Sequence, residues 1–136
     1  MERFLKRSIL ALVPAMLSAL VLVAPSAAAP PAGASYEIRQ RATLVSPGQI
    51  DVTIVVQCPA GSPNAVADVS VSQQQAVGAN TFGFGFGPVF TCTGAKQTFS
   101  VLVNGGPFTP GDAFATGRFV TSMGHFVIDS RVISIS

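Results

Sequence analysis

Apolar and polar residues alternate along most of this chain, with the period of two that a half-buried β-strand produces. Ile50, Val52, Ile54, Val56 and Cys58 share one parity, and Asp51, Thr53 and Gln57 share the other. Between Tyr36 and Val45 the same pattern sets Ile38, Ala42 and Leu44 against Glu37, Arg39 and Arg41. From Val66 to Gln74, Val69 and Val71 are expected inward and Asp68, Ser70 and Ser72 outward. Phe99, Val101 and Val103 mark a further strand, and Ala113, Ala115, Gly117 and Phe119 form the small-residue face of the next. Phe126 to Ile135 ends the series with apolar residues on both parities, which leaves its buried face undecided. Asp129 and Arg131 are expected outward or at an edge of that strand.

Thr81 to Cys92, TFGFGFGPVFTC, stands apart from the other runs. Phe82, Phe84, Phe86, Phe90 and Cys92 lie on one parity, while Gly83, Gly85 and Gly87 make a bare strip on the other. Two readings follow. In the first, the rings fill the core, each contributing about 1.5–3 kcal/mol on full burial. In the second, the strip formed by Gly83, Gly85 and Gly87 is an exposed binding face, the floor of a groove that a ligand or another strand approaches closely.

Pro, Gly and Asn punctuate these runs at Ser46-Pro47-Gly48, Pro59 to Asn64, Asn104-Gly105-Gly106-Pro107 and Thr109-Pro110-Gly111. No window carries a helical period with caps. About seven short strands at this spacing predict an all-β domain, an antiparallel immunoglobulin-like sandwich spanning residues 36–136.

The N-terminus departs from the pattern. Arg3, Lys6 and Arg7 precede an apolar stretch from Ile9 to Ala24, and small residues follow at Ser26 to Ala29. This order predicts a signal peptide over residues 1–28, cut after Ala28, with residues 29–35 as a flexible Pro/Ala tail. The formal charge of +2 belongs to the part that is lost. Arg39, Arg41, Lys96, Arg118 and Arg131 balance Glu37, Asp51, Asp68, Asp112 and Asp129 in the remainder. A neutral, scattered surface offers neither the basic face that nucleic acid requires nor the polybasic attraction that holds a chain to a membrane after signal cleavage. In an exported chain, two cysteines predict one disulfide, Cys58–Cys92, closing a loop worth about 4 kcal/mol by chain entropy.

Ile50 to Cys58, Cys92-Thr93-Gly94, Phe99 to Val103 and Gly111-Asp112-Ala113 resemble small exported proteins of high-GC Gram-positive bacteria. Those proteins share an Ala/Pro-rich signal, one cysteine pair and an immunoglobulin-like β pattern. The resemblance implies a fold and a secreted, extracellular location, and assigns no reaction.

Candidate chemistry is sparse. A hydrolytic triad needs a base, and the single histidine, His125, sits in an expected hairpin turn with Asp129 four residues on and no nucleophile marked. One His and a disulfide do not make a zinc site. Asp51, Asp68 and Asp112 are the acids from which a calcium site would be built, but no Asp-rich loop surrounds them. No cofactor and no metal is implied. The expected role is therefore non-catalytic: a binding or structural module for an unknown protein, cell-wall or small-molecule partner. Two alternatives are a carrier of an apolar small molecule in a sandwich cleft, like the bacterial chromoprotein apoproteins, and a protease inhibitor presenting Pro59 to Asn64. With no Trp and one Tyr, any sugar-stacking platform has to come from Phe.

Overall fold

The computed structural model describes residues 33–136. The expected signal peptide and residues 29–32 of the expected tail lie outside the described residues. Seven strands follow one another: β1 (Ser35–Ser46), β2 (Gln49–Gln57), β3 (Val66–Gln73), β4 (Thr81–Phe86), β5 (Gln97–Gly105), β6 (Gly111–Val120) and β7 (Phe126–Ile135). Their hydrogen bonding runs β1-β2-β5-β4-β3-β6-β7 and returns to β1 as a closed barrel. The all-β class, the seven strands and the disulfide are thus observed. The expected pair of separate sheets is replaced by one closed circuit.

Closure is uneven. β4 meets β5 only through Gly83↔Gly105 and Phe84↔Asn104, and β1 meets β7 only through Arg41↔Ser134 and Ala42↔Ile135, in parallel. The second seam has a local cause. Ile38 faces Ile54 but Ala42 faces Val52, so β1 carries two residues more than β2 across that span. The excess bulges at Arg39-Gln40-Arg41, bends the strand and delivers its end to β7. There, Leu44 N donates to Ser136 O at 2.8 Å. In the gap left by the bulge, Asp129 Oδ2 accepts from Ile38 N at 2.8 Å and from Arg131 Nε at 3.0 Å. Asp129 and Arg131 therefore occupy an edge, where a carboxylate replaces the missing ladder partner.

The interior follows the alternation. Ile38, Ile50, Ile54, Phe119, Ile133 and Ile135 are among its largest fully buried side chains. On β7 the buried face is Val127, Ile133 and Ile135, while Phe126, Ile128 and Val132 point to solvent. One strand is reversed relative to the core reading. Phe82 and Phe86 are 63% and 64% exposed, and Gly83 and Gly85 face inward. The reason is space. A Cβ on Gly83 would run into the Phe108 ring and Val103, and one on Gly85 into the Leu102 carbonyl. The interior under β4 is already occupied, so the backbone itself packs there and the rings go out. Alternation also stops at Gly87, so Phe90 packs elsewhere, between Phe99 (centroids 4.6 Å apart) and Phe119 (5.9 Å).

Phe108, 2% exposed, is held in place by a polar clamp at one end of the barrel. Thr109 N donates to Gln73 Oε1 at 2.9 Å, and Gln73 Nε2 donates to Thr109 O at 2.8 Å. Beside them, Gln75 Nε2 donates to Thr81 Oγ1, which donates to Pro107 O, both at 2.9 Å. Gln73 is 3% exposed, and its removal leaves two partly buried backbone groups of Thr109 without their protein partner. Gln73→Ala is expected to lower stability by about 2–3 kcal/mol in urea unfolding. A loss under about 0.5 kcal/mol would show that the loop repairs these bonds with water.

At the opposite end, Cys58 and Cys92 form the disulfide, with Cα atoms 5.4 Å apart. Cys58 follows β2, and Cys92 lies in the β4–β5 connection rather than ending an unbroken strand. The bridge staples two loops.

Candidate functional site

The outward parities of β4, β3, β6 and β7 build one continuous face whose rows are set by strand register. The first row reads Phe86, Asp68, Arg118, Ile128. The second reads Phe84, Ser70, Thr116, Ser130, and the third Phe82, Ser72, Phe114, Val132. The phenylalanines of β4 stand on one margin, and beside them Ser70 and Thr116 leave a trough between the Asp68–Arg118 row and the Phe114 row. A cavity of about 310 Å³ opens in this trough, with Phe82 and Phe84 on one wall, Ile128 on the other, and Ser70 and Thr116 beneath. Phe84 and Phe86 meet edge to face at 4.7 Å, which fixes the wall.

One end of the trough is closed by an ion pair, Arg118 Nε to Asp68 Oδ2 at 2.6 Å. The hydrogen bond to Asp68, and then its charge, raise Arg118 above its ordinary pKa. The hydroxyls are partly used: Ser70 Oγ donates to Thr116 O at 3.2 Å, and Thr116 Oγ1 lies 3.1 Å from Ser130 Oγ. Behind the trough, Tyr36 reaches through the barrel so that its hydroxyl donates to Asp68 O at 3.0 Å. Burial, and then the Asp68 and Asp129 carboxylates, hold this phenol well above its ordinary pKa, so it remains a neutral donor.

The residues singled out from sequence lie elsewhere. Of Gly83, Gly85 and Gly87, expected as an exposed binding strip, the first two line the inner side of β4, where an added Cβ would run into core side chains or backbone, and Gly87, half-buried just past β4, lies over Ala67 and Val101. That expectation is corrected: Gly83 and Gly85 face the core, and the phenylalanines beside them form the accessible surface. The His125 ring lies 3.0 Å from Thr121 Oγ1, closing the β6–β7 turn, whereas Asp129 is engaged with Ile38 and Arg131. The structure does not bring these two into a pair. Asp51 accepts from Ser100, Asp68 holds Arg118, and Asp112 is exposed. Among the described residues no group of three or more His, Cys, Asp or Glu side chains is placed to hold a metal ion. Pro59 to Asn64 folds as a turn against the Cys92 segment, with Gly61 N donating to Cys92 O at 3.0 Å and Ser62 buried.

The trough itself escaped sequence reasoning, because it depends on which strands lie side by side. A partial signal was present: Asp68, Ser70 and Ser72 read as an outward polar row, and Phe114 broke the small-residue strand around it.

No protein-family model matches the chain, and no curated protein matches it. Among solved structures it is similar to AggA, the major subunit of aggregative adherence fimbriae type I from Escherichia coli. The two are 12% identical, with 76% of this chain and 93% of that chain covered and a TM-score of 0.39. Similarity at this level establishes neither a shared fold nor a shared role.

Proposed function

We infer that this is an exported, non-catalytic binding domain that engages its partner through the outer face of β4, β3, β6 and β7. The observation that carries the reading is the exposure of Phe82, Phe84, Phe86, Phe114, Ile128 and Val132 on one face. Large apolar side chains gathered on one face of a folded surface, here on both sides of the polar β3 row, mark interaction sites. They are not required by the fold, since the core is already filled from the opposite parity. The N-terminal signal pattern and the disulfide support an extracellular setting. An immunoglobulin-like reading is supported in part by strand order: β1-β2-β5 and β3-β6-β7 match the ABE and CFG strands in sequence order, while β4 pairs along its length with β3 instead of completing the first sheet. On this reading, the two weak seams are the margins of the sandwich.

The test uses Phe82→Ser combined with Phe86→Ser. Stability is expected to stay within about 1 kcal/mol of the parent, as for other surface substitutions. Cosedimentation of the purified protein with the cell-envelope fraction of its source is expected to disappear. A large stability loss would make the rings structural, and unchanged cosedimentation would remove the face from binding. Either result sinks the reading.

A further inference from the structure

We propose that the trough binds one ring of a neutral polysaccharide, an inference that rests on reading this face as the binding surface. The trough combines two chemistries that rarely adjoin on a flat sheet. Its Phe82 and Phe84 wall is aromatic, and an aromatic ring attracts polarised C–H groups such as those on the face of a pyranose through its negative quadrupole. Its floor offers hydroxyl groups that both donate and accept, as sugar hydroxyls do. Thr116 and Ser130 share one bond and Ser70 spends its proton on a backbone carbonyl, so lone pairs on these oxygens remain for a ligand.

Charge narrows the class. Asp68 and Arg118 cancel within the pair, so an anion or a cation gains no net attraction at the mouth. The pair still presents donors and an acceptor. Only Nε of Arg118 is engaged, and its two terminal nitrogens have no protein partner among the described residues. Asp68 keeps its second oxygen. A neutral ligand with adjacent hydroxyls matches this bidentate edge. A fatty chain would fill the wall but leave the hydroxyl floor and the guanidinium without partners, which costs affinity.

Size and shape agree. A cavity of about 310 Å³ lies at the small end of ligand sites, suited to one ring rather than a large cofactor. The trough is capped by the ion pair at one end, and beyond its other end a second, separate cavity is lined by Ser72, Phe114 and Val132.

Calorimetric titration of the purified full chain with neutral oligosaccharides of glucose, N-acetylglucosamine, mannose, galactose and arabinose tests this, with dodecanoate as an anionic amphiphile probe. At least one oligosaccharide is expected to saturate, and Phe84→Ala and Thr116→Val are each expected to weaken it tenfold or more with unchanged unfolding midpoints. Leu102→Ala, on the outer surface of β5 outside the trough, is expected to bind as the parent does. Amide shifts at Ser70 and Thr116 of the unaltered protein report the same site without any variant. The proposal is overturned if no oligosaccharide saturates, if dodecanoate binds more tightly, or if saturation leaves those amides unmoved. If the saccharides fail while envelope binding still depends on Phe82 and Phe86, the binding face stands and only its sugar ligand falls.

Discussion

Gly117→Ala is expected to cost about 3 kcal/mol or more, at the upper end of what overpacking a core exacts. Gly117 sits on the inner face of β6, where Tyr36 crosses the barrel. A Cβ there would strike the Tyr36 hydroxyl and come within 2.6 Å of the Asp68 carbonyl oxygen. Neither neighbour has room to yield alone. The carbonyl is backbone in a paired strand, and the hydroxyl is hydrogen-bonded to that same carbonyl at 3.0 Å. For a domain of this size, such a loss lowers the melting temperature by on the order of 10–20 °C. Adding Tyr36→Phe removes the oxygen that the new methyl meets. The double variant should therefore lose less than the sum of the two single losses, a coupling that a double-mutant cycle reads directly. If Gly117→Ala melted within a degree or two of the parent, Tyr36 would be free to retract and its anchoring of Asp68 would be in error. That anchoring matters beyond stability, because the Asp68 it fixes also orients Arg118 at the end of the trough.

Removal of the disulfide by paired Cys58→Ser and Cys92→Ser is expected to cost about 4 kcal/mol in urea unfolding, most of it through a less constrained unfolded chain. The bridge spans 34 positions and joins the loop after β2 to the segment between β4 and β5. Beyond the bridge, backbone bonds such as Gly87 N to Ala67 O and Gly94 N to Cys58 O and the packing of Phe90 hold that segment, but among the described residues no ladder to β5 does. Cys92 N donates to Ser62 O at 2.9 Å, and Ala65 pairs with Phe90, but β4 leaves β5 after two residue pairs. Limited proteolysis of the variant should therefore cut first between Gly87 and Lys96. Unchanged stability in the presence of a strong reductant would show that these backbone bonds hold the two loops without the bridge.

Much of the architecture could be read from the chain. The parities read for β1, β2, β3 and β5 matched the main buried faces, because Ile38, Ile50, Ile54, Val69, Val71, Val101 and Val103 share the apolar parity of their strands, with Val55 and Asp68 buried off parity and Leu102 exposed. β4 did not, and the cause is instructive. Alternating Phe and Gly satisfies a strand pattern with either face inward, so the choice passes to the volume available. Phe108 and Val103 fill the place that inward rings would need. Phe108 was invisible as core because it lies in a Pro-flanked loop, where no periodicity reports burial. Gln73 could have been found, since it shares parity with Val69 and Val71, and a polar residue on an apolar parity signals a buried hydrogen-bonded group. The Asp129 position was legible only as an edge. Its partner, Ile38 N, lies 91 residues away and is exposed by a bulge that no local pattern announces.

Sequence by itself determined the all-β class, the strands and the cysteine pair, because strand period, turn residues and cysteine count are local or compositional properties. Tertiary structure alone decided three things: closure of the circuit through a bulged β1, the outward turn of the Phe82–Phe86 rings, and the assembly of Asp68, Ser70, Thr116, Arg118 and Ile128 into one trough. Each depends on which strands become neighbours and on what already fills the space between them. Contacts between residues 32 to 91 positions apart settle that, and alternation along a single strand does not encode them.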